Sequence, residues 1–209
     1  MSVILAFATA AVLVLISIFR KKAPRSAAEP VLVKRYFHPG HAWIRETGDG
    51  YVVVGVDTFA QSVIGPVHDL RLPRLLSRVR QGAGGWDLWH GNRHVRMVSP
   101  VTGWVVEKNE MVLHDPSLIN SAPYGEGWLF KVKPARLMPE LANLLTGKPA
   151  QQWQEMVRDQ IRRFFSTTPA LMMQDGGMIV ENLAERCSDP EWKALAKEFF
   201  LHEEQTQQS

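Results

Sequence analysis

Residues 86–100, WDLWHGNRHVRMVSP, gather the side chains most able to do chemistry. His90 and His94 straddle Gly91 and Asn92, so two imidazoles at the end of a hairpin could converge on a metal ion. A zinc site takes three or four protein ligands, and Asp87 is the one carboxylate close by, so no metal is expected. Contact chemistry fits the stretch better. Arg71, Arg74, Arg78, Arg80, Arg93 and Arg96 face a single acid, Asp87, between residues 71 and 96, with Trp86 and Trp89 among them. Tryptophan and arginine concentrate where binding energy concentrates. Trp86, Trp89, Arg93 and Arg96 are therefore the candidate partner-binding residues. Arginines that solvate one face, with tryptophans filling a seam of the fold, would leave the same pattern.

The remaining reactive types are sparse. His38 and His41, in HPGH, read as structural. No nucleophile–base–acid arrangement and no phosphate loop is present, and Gly82, Gly84 and Gly85 lack the strand-to-helix setting of a dinucleotide fingerprint. One cysteine, Cys187, excludes an internal disulfide or a multi-cysteine metal site, and its helical setting reads as buried apolar filler. No catalytic residue is assigned, so the chain is not expected to be an enzyme. No nucleic-acid module accompanies the arginines.

The elements that must position these residues follow from periodicity and punctuation. A composition 45% hydrophobic and 22% charged is that of a globular protein. HAWIRE (41–46) and YVVVGV (51–56) flank the turn TGDG and read as a hairpin. Asp57 can cap a short helix over TFAQSVI. HDLRL, HVRMV, GWVVEK and GWLFKV are further short strands set off by proline and glycine. After Pro134 the period becomes helical. Trp153, Met156, Val157, Ile161, Phe164 and Phe165 form one stripe, and Ile179, Val180, Leu183, Ala184 and Cys187 another. Trp192, Leu195, Ala196, Phe199 and Phe200 form a third, behind SDPE, a helix start with Ser188 or Asp189 as cap and Pro190 in the first turn. The stripes do not say whether these helices pack on each other or on the strands.

Four motifs then resemble one family, the glycine cleavage system H-protein, a lipoyl carrier. They are HAWIR (41–45), GVDTFAQSVIG (55–65), SPVTGWVVEKNE (99–110) and DPSLINSAPYGEGWLFKVKP (115–134). The resemblance implies a mainly β, lipoyl/biotinyl-type flattened barrel, a barrel-sandwich hybrid, over residues 36–134. It further implies a hairpin whose tip offers a lysine amide-linked to lipoate, an arm that carries an aminomethyl group between enzymes. Alignment back from Ser99-Pro100 and forward from Gly82 both place that lysine at Asn92. Only a primary amine forms the lipoyl amide, and Leu75 to Pro100 holds no lysine. Asn92 is thus a degenerate lipoyl position, and Gly91-Asn92 reads as a plain turn.

Ahead of this region, Ser2–Phe19 is 18 residues without a charge, about 27 Å as a helix and so near bilayer thickness. Arg20, Lys21, Lys22 and Arg25 follow it, which orients a single span with the bulk of the chain facing the cytoplasm and argues against a cleaved signal. Expected, then, are an anchor over 1–20 in an inner or cytoplasmic membrane, a basic linker over 21–35 able to meet anionic lipid, and a helical extension over 135–209. The function expected is a non-enzymatic, non-lipoylated adaptor or assembly subunit that binds protein partners through the hairpin and the helical extension. The alternative is a working lipoyl carrier in glycine cleavage or related one-carbon or acyl transfer, modified at Lys108, Lys131 or Lys133. Lipoate belongs to that alternative alone.

Overall fold

The computed structural model describes residues 34–166 and 182–200. The described residues belong to one compact unit. Nine antiparallel strands among the described residues make two sheets. The larger runs β1 (Tyr36–His38), β2 (Ala42–Glu46), β3 (Val52–Val56), β9 (Phe130–Pro134), β8 (Gly103–Lys108) and β5 (Arg78–Val79), side by side in that order. The smaller is β4 (Asp69–Arg71), β6 (Gly84–His90) and β7 (Arg93–Val98).

Alternation along the strands sets the core. Ile44, Val52, Val54, Val105, Phe130 and Val132 of the larger sheet belong to one buried cluster with Trp86, Leu88, Val95 and Met97 of the smaller. Trp86 meets Phe130 edge to face at 5.2 Å between ring centres. Gly55 is required by contact: a Cβ there would run into the Trp43 indole, which donates from Nε1 to the Val56 carbonyl at 3.0 Å.

Helix α1 (Thr58–Ile64) starts as expected. Asp57 Oδ1 accepts the Ala60 N–H at 2.9 Å, while Oδ2 pairs with His41 Nδ1 at 3.0 Å. His41 lies in the left-handed region, φ 62°, buried between the rings of Phe59 and Trp153. Short helices α2 (Glu110–His114), α3 (Leu118–Ser121) and α4 (Leu137–Leu141), like β1 and β5, had no apolar period long enough to be expected.

The C-terminal stripes join the same buried cluster, packing on α1 and on each other: Phe59 meets Phe199 at 5.5 Å and Phe164 meets Phe199 at 6.0 Å between ring centres. Helix α5 (Gly147–Ser166) buries Val157, Ile161 and Phe165, with Trp153 and Phe164 packed beside them; Met156, placed in that stripe, is exposed. Helix α6 (Leu183–Arg186) buries Leu183 and Ala184. Ile179 and Val180 lie outside the described residues. Helix α7 (Asp189–Phe199) buries Trp192, Leu195, Ala196 and Phe199, and the Glu191 carboxylate accepts the Ser188 N–H at 2.7 Å, as a capping box should.

One part of the expected fold class is corrected. No helix among the described residues is long and apolar enough to cross a membrane. The longest, α5, spans 20 residues but carries Lys148, Glu155, Arg158, Asp159, Arg162 and Arg163, which a bilayer core would reject. The segments expected as anchor (1–20) and linker (21–35) lie outside the described residues except for Lys34 and Arg35. The architecture supported is a β half-barrel with C-terminal helices, with no membrane-spanning helix among the described residues.

Candidate functional site: the β6–β7 hairpin and its C-terminal cover

Strands β6 and β7 pair from Gly84↔Val98 to His90↔Arg93, with a bulge between Gly84 and Trp86, and leave Gly91 and Asn92 as a two-residue loop. Gly91 has φ 60° and Asn92 does not share its sign, the mark of a turn that takes glycine at its first corner. Nothing lies within 4 Å of a Cβ built on Gly91, and both tip residues are exposed. The tip therefore stands clear of the body of the protein and displays a carboxamide.

Alternation divides the hairpin into two faces. Trp86, Leu88, His90, Val95 and Met97 turn inward. Trp86, by residue type a candidate for docking, is 2% exposed in the core, and its Nε1–H has no acceptor among the described residues. Docking cannot use a side chain so placed. Outward, two rows cross the small sheet: His94, Trp89 and Asp69 in one, Arg96, Asp87 and Arg71 in the other. Trp89 is stacked by His94 at 5.4 Å and faced by the Arg71 guanidinium at 5.4 Å. Arg96 donates to both Asp87 oxygens, at 2.9 and 3.3 Å. This outer face satisfies its own charges.

Arg93 is taken by the chain itself. Its guanidinium donates to the carbonyls of Ala184 and Cys187, where α6 ends, meets Asp189 at 3.3 Å and lies over the Trp192 ring at 5.6 Å. Unsatisfied carbonyls at a helix end favour a cation, so the pairing closes α6 and α7 onto the hairpin. His90, buried, joins the same seam: its Nδ1 is 2.6 Å from the Pro66 carbonyl and its Nε2 is 2.9 Å from Glu185. Gly65, φ 82°, leaves room for Asn182, whose N–H donates to the Ser62 carbonyl at 3.2 Å. Burial pushes the Cys187 thiol up, away from the reactive thiolate. His90 and His94 fall on opposite faces and do not converge; among the described residues no three His, Cys, Asp or Glu could hold one metal ion.

Nothing in the sequence marks Pro66, Asn182 or Glu185 for this seam, and Asp189 reads only as a candidate helix cap. Ala184, Cys187 and Trp192 read in the sequence only as parts of packing stripes, and an arginine at a hairpin tip carries no mark of a partner about 90 residues away.

A family model for the glycine cleavage H-protein matches residues 35–159. The chain belongs to the glycine cleavage H-protein family. It is 37% identical over 110 residues to glycine cleavage system H protein 2 of Aquifex aeolicus, covering 53% of this chain and 68% of the relative. It is 38% identical over 97 residues to the glycine cleavage system H protein of Vibrio vulnificus, with 46% and 77% covered. A crystal structure of a glycine cleavage system H protein from Mycobacterium marinum superposes with a TM-score of 0.52 at 28% identity, covering 59% of this chain and 95% of that one. With relatives that bear these names and no described helix able to cross a bilayer, the expected single-pass placement in an inner or cytoplasmic membrane is withdrawn. H-protein family membership extends past Pro134 into α5, so part of the helical extension belongs to the matched region.

The hairpin does not fit the lipoyl group that this family carries. Amide formation needs an amine, and the tip holds Asn92 and Arg93, with no lysine from Leu75 to Pro100. Of the lysines expected as substitutes, Lys108 lies on β8 and Lys131 and Lys133 on β9. Lys131 is engaged by Asp49 at 3.0 Å and by the Tyr51 ring.

Proposed function

We propose that this H-protein family member is a non-enzymatic subunit that holds protein partners by contact and bears no lipoyl arm on its hairpin. The observation that supports the reading is the exposed glycine-asparagine turn at the tip, on a strand pair that otherwise keeps the family's frame. A swinging carrier needs a covalent attachment point that projects freely, and here the projecting residue is a carboxamide.

The family match favours a second reading more directly than the first. In it the chain carries lipoate in glycine cleavage or a related one-carbon or acyl transfer, on Lys108, Lys131 or Lys133. Such an arm would leave from a strand rather than from a turn, and at Lys131 it would first have to displace Asp49.

Intact mass of the protein purified from its native host separates the two. The first reading expects the mass of the bare chain. A gain of one lipoyl group, located by peptide mapping on any lysine, would establish the second.

A further inference from the structure

The hairpin's outer face is neutralised from within, but one surface of the larger sheet is not. Arg74 to Ser77 form a turn in which the Ser77 N–H donates to the Arg74 carbonyl at 3.1 Å. Leu76, its third residue, has φ 61°, a conformation such turns reserve for glycine or asparagine. A branched side chain there is strained, and strain kept in place by surrounding bonds is a sign of use. Those bonds are present. Leu76 N–H donates to the Val105 carbonyl at 2.8 Å, and Val105 N–H to the Ser77 carbonyl at 3.0 Å, fastening the turn to β8.

What the turn gains is exposure. Leu75 is 55% and Leu76 75% exposed, and Trp104, one residue before Val105 on β8, is 51% exposed. Across the strands Trp104 stands between Arg78 of β5 and Lys133 of β9, in one row. Among the described residues no ion pair includes Arg74, Arg78 or Lys133. The acid of β8, Glu107, lies instead opposite Lys131. Two exposed leucines on a turn fastened to β8, the exposed tryptophan of that strand, and three cations outside any ion pair among the described residues have the composition of a binding hot spot with a steering rim.

We propose that Leu75, Leu76 and Trp104, with Arg74, Arg78 and Lys133, form a docking surface for a protein segment that presents apolar side chains among acidic ones. Charge complementarity selects that occupant: a basic or uncharged segment would leave the three cations unpaired. The inference rests on the contact reading above and names its partner chemistry, while the mass measurement can stand or fall separately.

The test uses the full chain and fluorescently labelled short peptides that alternate glutamate with leucine, lysine with leucine, or glutamate with serine. Fluorescence anisotropy should show binding of the glutamate–leucine peptide alone, weaker at high salt. Leu76→Gly and Trp104→Ala should each weaken it by about tenfold or more. Leu76→Gly should also leave the thermal midpoint unchanged or raised, since glycine adopts φ 61° without strain. A merely structural role for Leu76 would lower it. The proposal is overturned if wild type fails to bind, if either control peptide binds as well, or if the variants bind undiminished. It is equally overturned if sedimentation shows a wild-type dimer that the variants dissolve, for then the occupant is a second copy.

Discussion

Arg93 shows how one residue type can mean two things. In the sequence it is an exposed arginine beside a hairpin tip; in the fold its side chain is 13% exposed and bonded to two carbonyls and a carboxylate of the C-terminal helices. Hydrogen bonds from a charged donor are worth about 1.5–3 kcal/mol, and their loss here leaves carbonyls without a partner. Arg93→Ala should therefore cost about 2–3 kcal/mol in urea unfolding, and Arg93→Lys should recover only part, because a point charge cannot span Ala184 and Cys187 as the guanidinium fork does. A variant as stable as wild type would remove Arg93 from the seam. The legible part of this residue was its chemistry. The partner was not, because a hydrogen bond to a carbonyl leaves no trace in the identity of the residue that owns the carbonyl.

At the scale of elements, the apolar periods were informative where they were long and silent where they were short. The strand pair β2–β3, the cap at Asp57 and the start of α7 behind Ser188 could all be read, since turn chemistry and caps act between residues close in sequence. Strand β5, two residues long, exists only because Arg78 and Val79 find Trp104 and Gly103 across the sheet. Helix α7 owes its place to burial rather than to its cap. Leu195, with no exposure, should cost about 2–5 kcal/mol when changed to alanine. Glu191→Ala, which removes the capping box, should cost about 1 kcal/mol. Comparable losses for the two, measured by chemical denaturation, would mean that the helix is not anchored by its apolar face. Met156 marks the limit of such reasoning: a helical stripe gives the side that faces the core, not how far the core extends around it.

For the whole molecule, pH tests how tightly the β half-barrel encloses its polar groups. Burial, and then the neighbouring His41, hold the His38 imidazole below its ordinary value, and its Nδ1 accepts the Gly40 N–H at 2.9 Å. The folded state thus prefers the neutral ring. That preference stabilises fully above the ordinary histidine value and is lost as pH falls through the lower folded value. Stability should decline as pH falls below the ordinary histidine value, and His38→Asn, which can accept the same N–H without titrating, should flatten the decline. Parallel profiles would assign the loss to other groups. The sequence by itself determined the family frame, the strand-then-helix order and the missing amine, because motif spacing, turn residues and the absence of lysine are properties of neighbours along the chain. Only the tertiary structure decided that Trp86 is core, that Arg93 serves the chain's own helices, and that Leu76 and Trp104 are both exposed, with the turn of the one fastened to the strand of the other. Burial and pairing depend on which distant segments meet, and free energy, not sequence distance, selects those meetings.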